Sequence, residues 1–426
     1  MIEQAVKEKL HSYTTEQCYL ILNEIESNTE LGRLWLDKLR RYVSLHGSKI
    51  YKKAQLSFPI ETKLHLRWIT KCLQAGLKKH PNDQALISAL LYLSRFASSS
   101  QRKEIFTNCI QLERWLLKTK PIQLLKSCEI PLFSNMKIGH LEKISENRII
   151  ILSPSPFSLY TLAVYRILRT LNLPVAAIVV RRFTVSRFKD EFSRDGLKFF
   201  KKVWRKLILK SNENSDKSEF SLKYVLARLG VDFNDIRKIA RNDGVKCIEV
   251  NDFKVQNDHV TSLNADIGIF TGGGMVSDNF LKQFRAGLIN THMGSLPQFK
   301  GMDVVEAPIL EGNFNEITLT SHFMVPALDA GPILQEFKMS SSNYRTLGSL
   351  RNELGAVMPF IAVDSCLRYL SGDLKEIEQP LTGRQYYFLH SRLRKILRNI
   401  LSKRFVKRDT SIPKEVCEAI LCDLDA

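Results

Sequence analysis

The sequence predicts an α/β protein with a Rossmann-like, doubly wound and mostly parallel sheet, an N-terminal all-helical domain and a short basic helical C-terminal tail. The first part of the chain repeats apolar residues at helical spacing. From residue 148, short β-branched apolar runs alternate with helical segments, the pattern of right-handed βαβ crossovers. After residue 372 the chain becomes basic and keeps a helical periodicity. We therefore expect domains at residues 1–142, 147–372 and 373–426.

The N-terminal part reads as helices joined by turns. Segments 64–78 and 84–97 place apolar residues three and four positions apart, and a Pro-Asn-Asp turn at 81–83 separates them. No residue pattern in this region points to a reaction. An interaction or scaffolding module is therefore the expected role of residues 1–142.

The central part reads as alternating strands and helices. Segment 148–153 is apolar and β-branched throughout, as expected of a strand buried on both faces of a parallel sheet. A helix is predicted at 157–171. Further strands are predicted at 175–181, 245–250, 265–271, 287–290 and 317–325.

Composition excludes several classes of protein. The chain has 426 residues, 44% of them hydrophobic and 25% charged, which suits a soluble protein of two or three folded units. Its eight cysteines form no C-x-x-C pair, so we expect neither a disulfide scaffold nor a metal site. No secretory signal or stretch of ~18 apolar residues is apparent, so the cytoplasm is the expected location.

The formal net charge of +19 is concentrated in two basic segments, 187–210 and 388–407. Each combines Lys and Arg with large apolar residues at helical spacing. The ordinary explanation is a solvated face on a helix packed against its own domain. The alternatives are peripheral association with the inner surface of a membrane or a phosphate-binding surface, and the sequence leaves them open.

Polar residues cluster where three predicted strands end. In an open parallel sheet, ligands bind beyond the carboxyl ends of the strands. Residues 271–281 hold a glycine triplet, Asn290 and His292 lie two apart at the end of a short strand, and Asp329 occupies a tight turn. Two-residue spacing directs Asn290 and His292 to the same face. An amide donor beside an imidazole can hold a developing oxyanion and move a proton, which acyl transfer to an amine requires.

Each of these residues has an ordinary structural explanation when taken alone, but the combination resembles a known family. The chain has N-x-H followed by S-L-P-x-F-x-G, then T-x-H-F and L-D-A-G-P-I. This order and spacing are similar to the formyltransferase family, which includes enzymes acting on glycinamide ribonucleotide, methionyl-tRNA and sugar nucleotides. The resemblance covers roughly residues 148–372 and is specific in the second half of that span.

The resemblance implies roles for individual residues. Asn290 and protonated His292 would stabilise an oxyanion, and Asp329 would favour the imidazolium and relay the amine proton. The implied co-substrate is 10-formyltetrahydrofolate, with no metal. Its expected contacts are Gly272, Gly273, Gly274, Met275, Ala330, Gly331 and Ile333, and His322 and Ser295 are further candidates.

Two departures from the family pattern stand out. Gly294 occupies a position where the family has serine, and Val325–Ala327 replace a segment that is often acidic in the family. The spacing from Asn290 to Pro297 and Gly301 is unchanged. We therefore expect the reaction class to be kept, while the one-carbon carrier is less firmly defined.

The acceptor amine is the least defined part of the prediction. Segment 153–159 lacks the glycine-rich phosphate turn of the ribonucleotide enzyme, and the tail does not resemble the C-terminal barrel of the tRNA enzyme. We therefore favour a small-molecule amine, an amino sugar that is nucleotide- or lipid-linked, in glycan biosynthesis. A methionyl-tRNA formyltransferase-like enzyme stays open because the charge of +19 suits tRNA. A non-catalytic scaffold that binds folate or nucleotide and works through its helical domain is the third alternative.

Overall fold

The computed structural model describes residues 15–53, 60–94, 97–118, 144, 146–184, 220–231, 234–272, 274–314, 317–339, 346–380 and 382–404. Its internal contacts divide the chain into two compact units. Unit 1 contains Met1–Ile122, Gly301–Phe314 and Gln385–Phe405, and unit 2 contains Gln123–Lys300, Asn315–Arg384 and Val406–Ala426. This division differs from the contiguous domains expected from the sequence, because two later segments belong with the N-terminal helices.

The described helices and strands are each numbered in the order in which they occur along the chain. The helices are α1 (Thr15–Glu26), α2 (Glu30–Lys53), α3 (Ile60–Lys79), α4 (Gln84–Leu93), α5 (Ser99–Lys118), α6 (Leu159–Thr170), α7 (Leu222–Arg228), α8 (Ile236–Asn242), α9 (Asp258–Thr261), α10 (Asp278–Leu281), α11 (Glu306–Leu310), α12 (Leu347–Leu370) and α13 (Ser391–Arg404). The strands are β1 (Ile149–Ser153), β2 (Val175–Arg181), β3 (Lys246–Val250), β4 (Ala265–Phe270), β5 (Phe284–His292), β6 (Phe299–Gly301), β7 (Ile317–Phe323), β8 (Ile333–Met339) and β9 (Arg384–Tyr386).

Unit 1 is a helical core in which α4 is buried along most of its length. Asp83 begins this helix: its carboxylate accepts hydrogen bonds from the backbone N–H groups of Ala85 and Leu86 at 2.9 and 3.1 Å. The helix ends at Leu93, four residues before the predicted end. Both α11 and α13 belong to this unit, so its core is completed by segments far along the chain.

Unit 2 is built on a seven-stranded sheet with the order β3-β2-β1-β4-β5-β7-β8. Strands β1 to β5 are parallel, while β7 and β8 run antiparallel to their neighbours. The doubly wound, mostly parallel sheet expected from the sequence is therefore confirmed. The strand order reverses between β1 and β4, the switch point at which such sheets form a ligand crevice. The β8 strand was not predicted, because its first residues were assigned to a turn.

Three predicted features fall partly or wholly outside the described residues. The basic segment 187–210 lies outside them, and so does Gly273. The second basic segment, predicted at 388–407, is described up to residue 404 and forms α13 from Ser391. Within the part of the chain that the structure describes, no helix is long and apolar enough to cross a membrane.

Candidate functional site

The predicted catalytic residues converge at the carboxyl end of β5. This strand continues to His292, two residues beyond its predicted end, so Asn290 and His292 lie on one face of regular extended backbone. Strand β7 runs antiparallel beside it, with His322 directly opposite Asn290 and Thr320 directly opposite His292. Cross-strand pairing therefore adds His322 and Thr320 to the same face.

Asn290 and His322 form a hydrogen bond whose direction the surroundings fix. The Nδ1 atom of His322 lies 2.8 Å from the carbonyl oxygen of Phe323. Because a carbonyl only accepts, Nδ1 carries the proton and Nε2 of the neutral ring is an acceptor. Asn290 Nδ2 lies 3.2 Å from that Nε2, so the amide of Asn290 presents its NH2 group to His322. One amide hydrogen is thereby held, and the other is left for a further acceptor.

His322 is suited to staying neutral. Its side chain is 2% exposed, and burial, together with the nearby His292 imidazole, lowers the pKa of His322 to about 4; the Asp329 carboxylate acts in the opposite direction. At neutral pH the ring is therefore an uncharged acceptor for the Asn290 amide.

His292 has an acceptor beside each ring nitrogen. Its Nε2–H donates to the carbonyl oxygen of Phe299 at 3.0 Å, and its Nδ1 lies 3.7 Å from Oδ2 of Asp329. Gly294 makes room for this arrangement: a Cβ atom there would lie 2.8 Å from the Phe299 oxygen and 2.9 Å from His292 Nε2. The glycine that departs from the family pattern therefore allows the imidazole to bond to the backbone carbonyl.

Asp329 stands in the loop between β7 and β8. Its backbone φ is +49°, in the left-handed region that Asp tolerates better than most residues. Its carboxylate, 10% exposed, lies 3.7 Å from His292 Nδ1 and 3.9 Å from His322 Nε2. Gly331 fixes this turn, because a Cβ there would lie 1.9 Å from the carbonyl oxygen of Phe323. The carboxylate is thus near both imidazoles, at distances longer than a hydrogen bond.

The expected donor-binding residues fall on two loops. Gly272 and Gly274 follow β4 with φ values of +107° and +98°, which only glycine adopts readily, and Met275 beside them is 71% exposed. On the other loop, the Gly331 carbonyl accepts from Gln379 at 2.6 Å.

The other residues expected to contact the donor are partly buried or hydrogen-bonded within the protein. The backbone N–H and C=O of Ile333 both bond to Ile377, at 2.8 and 2.9 Å. Only the side chain of Ile333 is then left to contact a donor. Ala330 is half-buried. Ser295 is buried and its carbonyl accepts from the Phe299 N–H at 2.8 Å, which closes the turn under the site.

Two further groups support the site and were not predicted. Thr320 is fully buried, and its hydroxyl donates to the Gly294 carbonyl at 2.7 Å, holding the turn beside His292. The Phe299 carbonyl orients the imidazole itself. Thr320 could have been found from the sequence, because it lies two residues before His322 on the same strand. A backbone carbonyl leaves no such signal.

The site has the groups that acyl transfer to an amine needs. A fixed amide donor and an imidazole can hold an oxygen that gains negative charge, and a carboxylate can accept a proton. In the described residues, no group of three or more His, Cys, Asp or Glu side chains is arranged to hold a metal ion.

Comparison with known proteins confirms the resemblance seen in the motifs. Residues 238–358 match the formyl transferase family, a span that includes Asn290, His292, His322 and Asp329. The chain is similar to the methionyl-tRNA formyltransferase of Cutibacterium acnes, 30% identical over 151 residues that cover 35% of this chain and 47% of that protein. It is also similar to the Coxiella burnetii enzyme of the same name, 24% identical over 154 residues, 35% of this chain and 49% of the other. The chain thus spans about half the length of the curated relatives it matches.

Solved structures of formyltransferases are also similar to this chain. Glycinamide ribonucleotide transformylase 1 from Symbiobacterium toebii is 17% identical, with a TM-score of 0.37 covering 60% of this chain and 100% of that chain. An N-formyltransferase from Helicobacter canadensis, in complex with folinic acid and dTDP-3-aminofucose, is 13% identical, with a TM-score of 0.36 covering 60% of this chain and 80% of the other.

Proposed function

We propose that this protein is an N-formyltransferase that moves a formyl group from 10-formyltetrahydrofolate to a primary amine. One observation carries the proposal: Asn290, His292 and Asp329, chosen by motif, lie together at the carboxyl end of β5, with Asp329 3.7 Å from His292. The formyl transferase match over residues 238–358 supports the same reaction class.

The donor supplies a formyl carbon whose carbonyl oxygen gains negative charge when the amine nitrogen attacks. Asn290 meets that oxygen with the amide hydrogen that His322 does not hold. The reaction gains from this only if the amide points the right way before the charge develops, and the His322 bond provides that orientation.

We assign to His292 the stabilisation of the oxyanion and to Asp329 the transfer of the amine proton. A doubly protonated imidazole would donate from Nε2 to the Phe299 carbonyl and from Nδ1 toward Asp329 and the crevice. The positive ring supports the oxyanion, and Asp329 receives the proton that the attacking nitrogen loses, through a water at these distances. That proton then passes to the departing nitrogen of the donor, which leaves as tetrahydrofolate.

The site is tested by tetrahydrofolate release in the presence of 10-formyltetrahydrofolate and an amine acceptor. We expect Asn290→Ala and His292→Ala to lose most of the activity, on the order of 10²-fold or more each. The matched control is His259→Ala, an exposed histidine on α9, which should leave kcat and KM unchanged. Full activity in either site variant would refute the assignment.

For the acceptor we propose an amino sugar carried on a nucleotide or a lipid, because segment 153–159 has no glycine-rich phosphate turn. Methionyl-tRNA is a second candidate, favoured by the names of the curated relatives, which match over 47% and 49% of their length. A panel of nucleotide-linked amino sugars and charged initiator tRNA separates the two. Turnover with tRNA alone would overturn the sugar proposal, and turnover with neither would favour the scaffold alternative.

A further inference from the structure

Two helices of unit 1, α5 and α13, pack side by side in the same direction. The guanidinium of Arg392 lies 4.4 Å from the centre of the Phe106 ring, and Asn399 Nδ2 donates to Glu113 at 3.2 Å. Both pairs are separated by the same 286 positions. A constant separation means that the helices run parallel in a fixed register over two turns.

Positive charge is concentrated on this pair of helices. Together they carry ten Lys and Arg against two Glu, an excess of eight out of the chain's net charge of +19. Of the two acids, Glu113 is engaged by Asn399. Six of the exposed cations on the two helices define what we call the α5/α13 basic face: Lys103, Arg114, Lys118, Lys395, Arg398 and Lys403.

The packing of α13 argues against a membrane as the partner. A helix that lies on a bilayer inserts an apolar face between the lipid headgroups. The apolar residues of α13, from Leu393 to Leu401, are instead buried in unit 1. On α5 two large apolar residues are exposed, Ile110 at 48% and Leu117 at 36%, which is a small apolar surface for a helix inserted into a bilayer. What this face offers is rows of cations, which suit a polyanion in water.

The dimensions fit a chain of phosphates. Lys103 and Lys118 are separated by about 22 Å along the helix at 1.5 Å per residue, a length over which one nucleic-acid strand presents roughly six phosphates. Arginine and lysine on such a row bind phosphates without reading base sequence. We propose that the α5/α13 basic face binds the phosphodiester backbone of a nucleic acid. This surface shares no residue with the proposed catalytic site, and its binding does not depend on formyl transfer.

The test measures binding of the full chain to a fluorescently labelled RNA hairpin, to a DNA duplex of the same sequence and to phosphatidylserine vesicles, across a salt series and without folate. The face variant carries Lys103→Gln, Arg114→Gln, Lys395→Gln and Arg398→Gln. The control variant loses four exposed lysines of unit 2, as Lys238→Gln, Lys246→Gln, Lys254→Gln and Lys375→Gln.

We expect the wild type to bind, and the face variant to bind at least roughly tenfold more weakly, with the log–log salt slope reduced by about 3 to 4 on duplex. The control should change affinity much less. RNA and DNA affinities then tell which backbone is preferred. Equal loss in both variants, no binding by the wild type, or binding only to phosphatidylserine vesicles would overturn the proposal. Thermal unfolding shows whether the face variant and the control variant are folded. If the face variant is unfolded, the binding test is repeated with the single substitutions Lys103→Gln and Arg398→Gln.

Discussion

Replacing His322 with leucine is expected to lower kcat/KM for formyl transfer by about 5- to 150-fold. The change removes the acceptor that holds the Asn290 amide at 3.2 Å. A buried polar group that loses its partner costs about 1–3 kcal/mol, and each 1.36 kcal/mol is tenfold in rate. The loss should fall on kcat, because the amide acts on charge that develops during the reaction and little on ground-state binding.

The same substitution should also weaken the fold. It removes the Nδ1–H that donates to the buried Phe323 carbonyl at 2.8 Å, which costs about 1–3 kcal/mol. The lost acceptor of the half-buried Asn290 amide adds a smaller cost. Together these losses are a large share of the roughly 5–15 kcal/mol that holds a typical domain. Activity is therefore compared below the unfolding midpoint of each variant, measured by circular dichroism.

His322→Gln separates a positioning role from a purely structural one. The Oε1 atom of glutamine can accept from Asn290 in place of Nε2, so we expect most of kcat to return. The control is His259→Gln on the protein surface, which should have no effect. The reasoning is refuted if a folded leucine variant keeps full kcat, or if the loss lies in KM and glutamine restores none of it.

Three other predictions concern the same unit. Because burial lowers the pKa of His322 to about 4, the unfolded chain binds a proton below pH about 6.5 that the folded chain does not. The free energy of unfolding should therefore fall by roughly 3 kcal/mol from pH 6.5 to 4, and His322→Gln should remove that share of the fall in denaturant titrations. Gly294→Ser brings a Cβ to 2.9 Å from His292 Nε2, so we expect a displaced ring and a loss of kcat of about tenfold or more, and a crystal structure with an unmoved ring would contradict this. Gly331→Ala places a Cβ 1.9 Å from the Phe323 carbonyl, so the loop must shift, and thermal unfolding should show destabilisation of at least about 1–3 kcal/mol.

Local periodicity predicted six of the nine described strands, β1 to β5 and β7, because the apolar pattern of each of these segments is typical of a strand. The run of apolar residues in β1 is fully buried, as its composition indicated. The β8 strand was missed because its burial alternates irregularly and its start follows a Gly-Pro turn without a break. The grouping of segments 301–314 and 385–405 with the N-terminal helices could not be predicted from the sequence. Packing between segments hundreds of residues apart leaves no trace in the period of either one.

The candidate site divides in the same way. Two-residue spacing predicted that Asn290 and His292 share a face, and the motif identified Asp329. The pairing of Asn290 with His322 depends on the antiparallel register of β5 and β7, which a parallel sheet expectation does not supply. The proton position on His322 depends in turn on one backbone carbonyl. Residue identities were accessible from the sequence, but the direction of each hydrogen bond required the register.

Gly294 shows why a departure from a family pattern has to be interpreted in three dimensions. From the sequence, the missing serine was a reason to question the one-carbon carrier. In the structure, the space that a Cβ would need is occupied by the hydrogen bond from His292 Nε2 to the Phe299 carbonyl. Glycine at this position therefore affects the orientation of the imidazole, because it leaves room for the ring to bond to a backbone carbonyl where a serine side chain would stand. Any difference in the carrier should then be sought in the Val325–Ala327 segment, where exposed apolar and proline residues precede Asp329 on the loop expected to contact the donor.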